Sequence, residues 1–202
     1  TPAVLNVEHS VNGRRWSWRE GADNPATNRL GAALAQQLGI PEIVGRLLAM
    51  RGVSPEHAPH FLAPTLRALM PDPSCLTDMD KAAARMAQAV QAGETIGIFG
   101  DYDVDGACAS AVLAAFFEQL GCSVLTHIPD RMTEGYGPNL PALEALVAQG
   151  ARLLICVDCG TASAPILNQL AGKADVVVLD HHKSEDALPD ILATVNPNRV
   201  DC

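Results

Sequence analysis

The sequence predicts a doubly wound α/β fold, a mostly parallel sheet flanked by helices, preceded by a small helical amino-terminal segment. From residue 80 onward, short apolar runs rich in β-branched residues alternate with longer helical runs. Such alternation builds parallel strands joined by right-handed crossovers. Several of the short runs, Leu153–Val157 and Val176–Leu179 among them, are apolar throughout, as strands are when helices cover both faces. Residues 28–79 instead carry short helical runs broken by Pro64, Pro71 and Pro73. The expected division is an amino-terminal extension over 1–79 and an α/β domain over 80–202.

Each element has its own signal. Asn28 is placed to cap a helix over Arg29–Leu38, which Gly39 and Pro41 stop. Glu42–Met50 is a second helical run ending near Gly52, and Ser54-Pro55 reads as a cap and first helical residue. Asp80 opens a helix to about Ala92, closed by Gly93. Strands follow at Thr95–Phe99, Val124–Ile128, Leu153–Val157, Val176–Leu179 and Thr194–Val195. Between them lie helices at Gly106–Leu120, at Asn139–Gln149 with Asn139 as cap, and at Ala162–Leu170.

Composition bounds the function. Of 202 residues, 48% are hydrophobic and 18% charged, which supports a packed core and excludes a disordered chain. No apolar run approaches the roughly 20 residues that cross a bilayer, and the first ten residues lack signal-peptide architecture, so a cytoplasmic protein is expected. Six cysteines are too sparse for a disulfide scaffold, and Cys156 and Cys159 form a lone CxxC at a strand end that reads as buried free thiols. The net charge of −9 lies wholly in the second region, where sixteen acids face seven bases; residues 1–79 balance at seven each. That is the wrong sign for a nucleic-acid footprint. Five of the acids, however, are Asp101, Asp103, Asp105, Asp158 and Asp180, gathered in three short motifs. Clustered carboxylates repel one another unless cations sit between them.

The motifs fall at strand ends, where open parallel sheets bind ligands. Gly100-Asp101-Tyr102-Asp103-Val104-Asp105-Gly106 follows the strand Thr95–Phe99 and opens a helix; its alternate acids suit a hard divalent cation. An EF-hand is excluded because the position that needs a bidentate Glu is Val112 and a strand precedes the loop. A haloacid dehalogenase-type start is disfavoured by Ala107 and leaves the later histidines unexplained. Val157-Asp158-Cys159-Gly160 and Leu179-Asp180-His181-His182 end two further strands. Imidazole and carboxylate together suit Mn²⁺, with Mg²⁺ or Fe²⁺ as alternatives, and Asp180 is placed to orient a histidine from behind or to cap the next turn.

GDYDVDG, VDCG and DHH in this order resemble the DHH phosphoesterase superfamily. Residues 61–66, 76–82, 130–137 and 195–199 resemble its RecJ branch, with the likeness running from about residue 28 to the end. Other branches place a histidine where this chain has Phe99; here Asp101 stands instead, as in RecJ. The resemblance implies two divalent cations, Mn²⁺ first and Mg²⁺ as alternative, and hydrolysis of single-stranded DNA from its 5′ end. It implies that Asp103 binds one ion and Asp105 the other, that Asp158 bridges them, and that His181 completes the ligand set of the second ion. His182 would contact the scissile phosphate, and Asp101 would support the loop or bind through water. A single-strand-binding protein and a helicase are the protein partners the likeness suggests, with no membrane. Similar proteins carry a fourth aspartate motif further along than the 20 residues that here follow His182, and additional domains. The chain thus reads as an amino-terminal part, weakly active or inactive alone.

Other signals are weaker. Arg14–Arg19 interleaves arginines with Trp16 and Trp18, and reads as a structural strand with its tryptophans inward rather than a base-stacking surface. His9, His57, His60 and His127 lack carboxylates at ligand spacing and read as structural. Arg131 and Tyr136, in the loop after the second strand, are candidate substrate contacts. Two other functions stand beside the exonuclease: a phosphodiesterase of short oligonucleotides or cyclic dinucleotides, and a non-catalytic binding module derived from this fold.

Overall fold

A computed structural model describes residues 3–18, 24–183 and 187–202. The chain divides into two compact units, 1–71 and 72–202, so that the segment from Asp72 to Asp78 belongs with the second unit.

The first unit is helical: α1 (Pro25–Leu38), α2 (Glu42–Met50), α3 (Ala58–Leu62) and α4 (Leu66–Leu69). Its first cap is Asn24, not Asn28: the Asn24 side chain accepts the Thr27 N–H at 2.9 Å, and Pro25 occupies the first helical position. Ser54-Pro55 does not begin a helix; it enters a turn, and α3 starts at Ala58. The axes of α1 and α2 approach closely through Gly31 and Gly45, since a Cβ on Gly45 would lie 2.3 Å from the Gly31 carbonyl oxygen. Leu34, Leu48, Ala49, Val53 and Ala58 form the buried core of this unit. Backbone bonds Val4 N–H to Trp16 carbonyl and Trp16 N–H to Val7 carbonyl, both 3.0 Å, pair the arm around Trp16 with residues 4–7. Trp18 packs beneath the Arg46 guanidinium, 3.7 Å from its ring centroid, whereas Trp16 is 47% exposed and not inward as expected. Arg19 lies outside the described residues.

The second unit carries a five-stranded sheet, β1 (Thr95–Gly100), β2 (Val124–His127), β3 (Ala151–Val157), β4 (Asp175–Leu179) and β5 (Ala193–Val195). The order is β2-β1-β3-β4-β5, with every pairing parallel. Helices α5 (Met79–Ala92) and α6 (Val104–Gln119) cover one face, where Ala82, Ala89 and Phe117 pack on Ile96, Ile98, Ile155 and Val177. Helices α7 (Leu140–Ala148) and α8 (Ala164–Leu167) cover the other, with Leu143, Leu146 and Leu167 against Phe99, Leu154, Cys156 and Val178. Burial on both faces is the physical reason the central strands are apolar at successive positions. The doubly wound α/β expectation holds.

Each strand differs from the expectation by one or two residues at one end, and helix ends differ too. Helix α5 starts at Met79 behind Asp78, which sits at φ 64 without a side-chain cap, so Asp80 is inside the first turn. The predicted helix over 162–170 is interrupted: α8 ends at Leu167 and a 3-10 turn takes Asn168–Leu170. Helix α6 starts at Val104, two residues early, because Asp103 is its cap.

Strand register sets the site. Gly100 pairs with Val157, Val157 with Leu179, and Leu179 with Val195. The next residues, Asp101, Asp158, Asp180 and Asn196, therefore stand in a row along the carboxyl rim. The N–H groups of the three aspartates extend the ladder, to the carbonyls of Val157, Leu179 and Val195 at 3.3, 2.9 and 3.0 Å. The strand order reverses its direction between β1 and β3, where doubly wound sheets open a crevice.

Candidate metal centre

All four residues of the row are buried, at 3%, 6%, 8% and 0% exposure from Asp101 to Asn196. Three acids in such a place need partners, and they find them unequally. Asp180 is fully engaged. Its Oδ1 accepts from the His181 and His182 N–H groups at 2.7 and 3.1 Å and faces His182 Nδ1 at 2.8 Å. Its Oδ2 accepts the Thr161 N–H at 3.0 Å. Burial alone would raise its pKa, but these donors hold the carboxyl below the ordinary range. An ionised carboxylate only accepts, so His182 carries its proton on Nδ1 and leaves Nε2 for another contact. The Asp180 carboxylate in turn lifts the pKa of His182.

Asp101 and Asp158 are the opposite case. Asp101 Oδ1 and Asp158 Oδ2 are buried without a hydrogen-bond partner among the described residues. Burial, and then the negative charge of Asp103, push the Asp158 carboxyl upward, so the protein alone does not satisfy it. Asp158 also adopts φ 61, a left-handed conformation that aims its side chain from a tight turn. Orphaned buried oxygens beside further acids fit a bound cation.

The neighbouring loops bring further ligand atoms to these oxygens. Atoms of Asp101, Asp103 and Asp158 lie within 4.8 Å of one another, and so do atoms of Asp158, His181 and His182. Asp158 belongs to both groups. His181 Nε2 is 2.9 Å from Asp158 Oδ1, and His182 Nδ1 is 4.0 Å from it. Asp103 Oδ1 caps α6 by accepting the N–H groups of Asp105 and Gly106 at 2.9 and 3.0 Å, and the Gly106 bond leads in holding its carboxyl below the ordinary range. Gly106 is required here: a Cβ would fall 2.5 Å from the Asp101 carbonyl oxygen. Asp105, exposed in the first turn of α6, belongs to neither ligand group among the described residues. It lines a cavity of about 530 Å³ with Asp158, Asp180 and His181, whose remaining wall is apolar and includes Leu76, Met79 and Val195.

The loop after β2 supplies the other side. Tyr136 Oη donates to the Asp158 carbonyl at 3.4 Å and lies 3.2 Å from His182 Nδ1. Burial raises the Tyr136 pKa, keeping the phenol protonated. Tyr102 meets Tyr136 edge-on at 6.4 Å, and the Arg131 guanidinium lies 5.3 Å from the Tyr102 ring. This loop is held by Glu134, to which the sequence reading assigns no structural role. Glu134 accepts the Asp130 N–H at 2.9 Å, an Asn139 Nδ2–H at 2.9 Å, and pairs with His127 Nε2 at 2.8 Å. The bonds from Asp130, His127 and Asn139 pull its pKa down to about 2. His127 therefore does have a carboxylate partner, seven residues away across a loop, where local spacing cannot reveal it. Cys156 and Cys159 are buried free thiols, Cys156 pushed by burial to about 12, and neither suits metal or redox chemistry.

Comparison with known proteins points to one family. The model for the DHH family, N-terminal domain, matches residues 95–202. The single-stranded-DNA-specific exonuclease RecJ of Bacillus subtilis (strain 168) is 36% identical over 173 residues, 84% of this chain and 22% of that protein. RecJ of Escherichia coli (strain K12) is 33% identical over 165 residues, 81% of this chain and 28% of that protein. The chain spans about a quarter of the length of these relatives. The crystal structure of Thermus thermophilus RecJ in complex with Mn²⁺ superposes with a TM-score of 0.65 at 26% identity, covering 84% of this chain and 23% of that one. A second structure, exonuclease RecJ bound to manganese, gives 0.57 at 32% identity over 62% of this chain and 32% of that one. The matched region begins at the first residue of β1 and holds every loop of the carboxyl rim, so fold, site and similarity coincide: the chain belongs to the DHH family.

Proposed function

We propose that this chain provides the catalytic centre of a metal-dependent exonuclease that hydrolyses single-stranded DNA from its 5′ end. The observation that carries the reading is the pair of orphaned buried oxygens, on Asp101 and Asp158, facing Asp103, His181 and His182 at the sheet rim. The similarity to RecJ proteins supports single-stranded DNA as the substrate. Asp101, Asp103, Asp158 and His181 would hold two divalent cations, with Asp105 beside them; Mn²⁺ is the first expectation and Mg²⁺ the alternative. Such ions, when bound, lower the pKa of a water and neutralise charge at phosphorus.

The chain's own groups do the rest. Asp180 holds the His182 proton on Nδ1 and raises the proton affinity of the ring, so that Nε2, once protonated as well, donates a hydrogen bond to a phosphate oxygen as charge grows there. Tyr136 Oη lies 3.2 Å from the same Nδ1. Arg131 and Tyr102, stacked together near the same loop, offer a cation and a ring face to the strand. A role in repair or recombination, a cytoplasmic setting, and contacts with a single-strand-binding protein or a helicase are further parts of the proposal that rest on likeness to RecJ alone.

The test places residues 95–202 of this chain into Bacillus subtilis RecJ in place of the matching part and assays digestion in Mn²⁺. Release of nucleotides from the 5′ end of a single strand, lost in His182→Ala, supports the reading. A folded, Mn²⁺-binding chimera that leaves the strand intact but cleaves dinucleotides would replace it with the short-substrate phosphodiesterase.

A further inference from the structure

Asn196 is the uncharged member of the rim row, and it is wholly buried. Its amide has no slack. Nδ2 donates to Thr161 Oγ1 at 2.8 Å and to the His182 carbonyl at 2.9 Å, and Oδ1 accepts the Asn198 N–H at 2.8 Å. The Asn198 side chain then donates to the His181 carbonyl. Thr161 closes the circuit, because its own N–H reaches Asp180. The two histidine peptides are thus held from both sides: N–H groups by Asp180, carbonyls by two asparagines from the loop after β5. Packing alone gives no reason for an amide here, since an apolar side chain of similar size would fill the space without desolvating polar atoms.

We propose that Asn196, with Asn198 beside it at the surface, is a positioning residue that sets both imidazoles against Asp158 by gripping the carbonyls of His181 and His182. The proposal rests on the cation-dependent reading of this site and extends it to a strand end that offers no ligand. Groups outside the ligand set that orient ligands affect metal affinity by about 10–100-fold.

Two variants test it in the 202-residue chain. Asn196→Asp keeps the volume but turns a carboxylate oxygen toward the His182 carbonyl; Asn198→Ala removes one exposed bond and spares the core. Nitrogen-15 spectra of the histidine rings, recorded without metal at fixed pH alongside a melting curve, should show His182 as a single Nδ1–H tautomer in the parent. That signal should average in Asn196→Asp. In Asn198→Ala the His181 signal should move and His182 should not. Calorimetric Mn²⁺ titration should weaken by about 10–100-fold in Asn196→Asp and by less in Asn198→Ala. A folded Asn196→Asp with parental ring signals and Mn²⁺ affinity overturns the proposal. If that variant does not fold, unchanged His181 signals in Asn198→Ala overturn it. A parent chain that binds no Mn²⁺ defeats the cation reading instead, and the ring spectra still decide whether the asparagines position the histidines.

Discussion

The loop after β4 and the loop after β1 serve one site but are built on opposite terms. After β4, Asp180, His181 and His182 are satisfied by the protein itself: every oxygen of Asp180 has a donor, and so does each histidine carbonyl. After β1, Asp101 keeps a buried oxygen with no partner among the described residues, and Asp103 lies close enough to Asp158 to disfavour its ionisation. The difference teaches where each loop draws its stability. The segment Asp180–His182 is hydrogen-bonded by the protein before any ion arrives; the acidic loop is frustrated until one does. A site can thus be preorganised in its phosphate-contacting half while its metal-holding half stores repulsion that a cation relieves.

Substitutions can break this contrast. The largest effect is expected for Asp180→Ala, which leaves three buried or half-buried N–H groups unpaired and should cost about 4 kcal/mol in urea unfolding. Asp158→Asn should do the reverse in the metal-free protein, raising stability by on the order of 1 kcal/mol, while Mn²⁺ affinity measured by calorimetry falls by more than about 100-fold. If Asp158→Asn destabilised the metal-free chain as Asp180→Ala does, the acidic loop would not be frustrated. Gly106→Ala forces the first loop away from Asp101 and should cost about 2 kcal/mol, with weaker Mn²⁺ binding, since backbone rather than a flexible side chain must move.

The smallest effect is a pair of opposed pH slopes. The Asp180 carboxyl lies below its ordinary 3.8, so its contribution is complete above that value and disappears as pH falls through the folded one. The Asp158 carboxyl lies above 3.8, so the folded protein binds its proton more tightly, and that contribution is present below 3.8 and lost as pH rises through the raised value. Metal-free melting curves across the acid range should lose the first slope in Asp180→Asn and the second in Asp158→Asn. Identical profiles for the two variants would erase the distinction between the loops.

Much of this is legible in the residues. Each rim aspartate follows an apolar run, and parallel strands of α/β folds end on one edge, so three distant motifs are expected to meet. What stays hidden has physical causes. Asp103 is both a candidate ligand and a helix cap, and reading the whole acidic stretch as loop moves the start of α6 two residues late, although Asp before a helical run is itself a capping signal. The Thr161–Asn196 bond spans 35 residues, and the His127–Glu134 pair depends on how a loop folds back, so neither follows from local periodicity. Asp105 shares the alternate spacing of Asp101 and Asp103, but helical backbone from Val104 places it away from the two ligand groups.

The most direct test of the rim as a shared cation site is anomalous diffraction from crystals soaked in Mn²⁺. Peaks in contact with Asp158 and flanked by Asp101, Asp103 and His181 are the expected result. Occupied Mn²⁺ elsewhere on the protein, with no peak against Asp158, would contradict it.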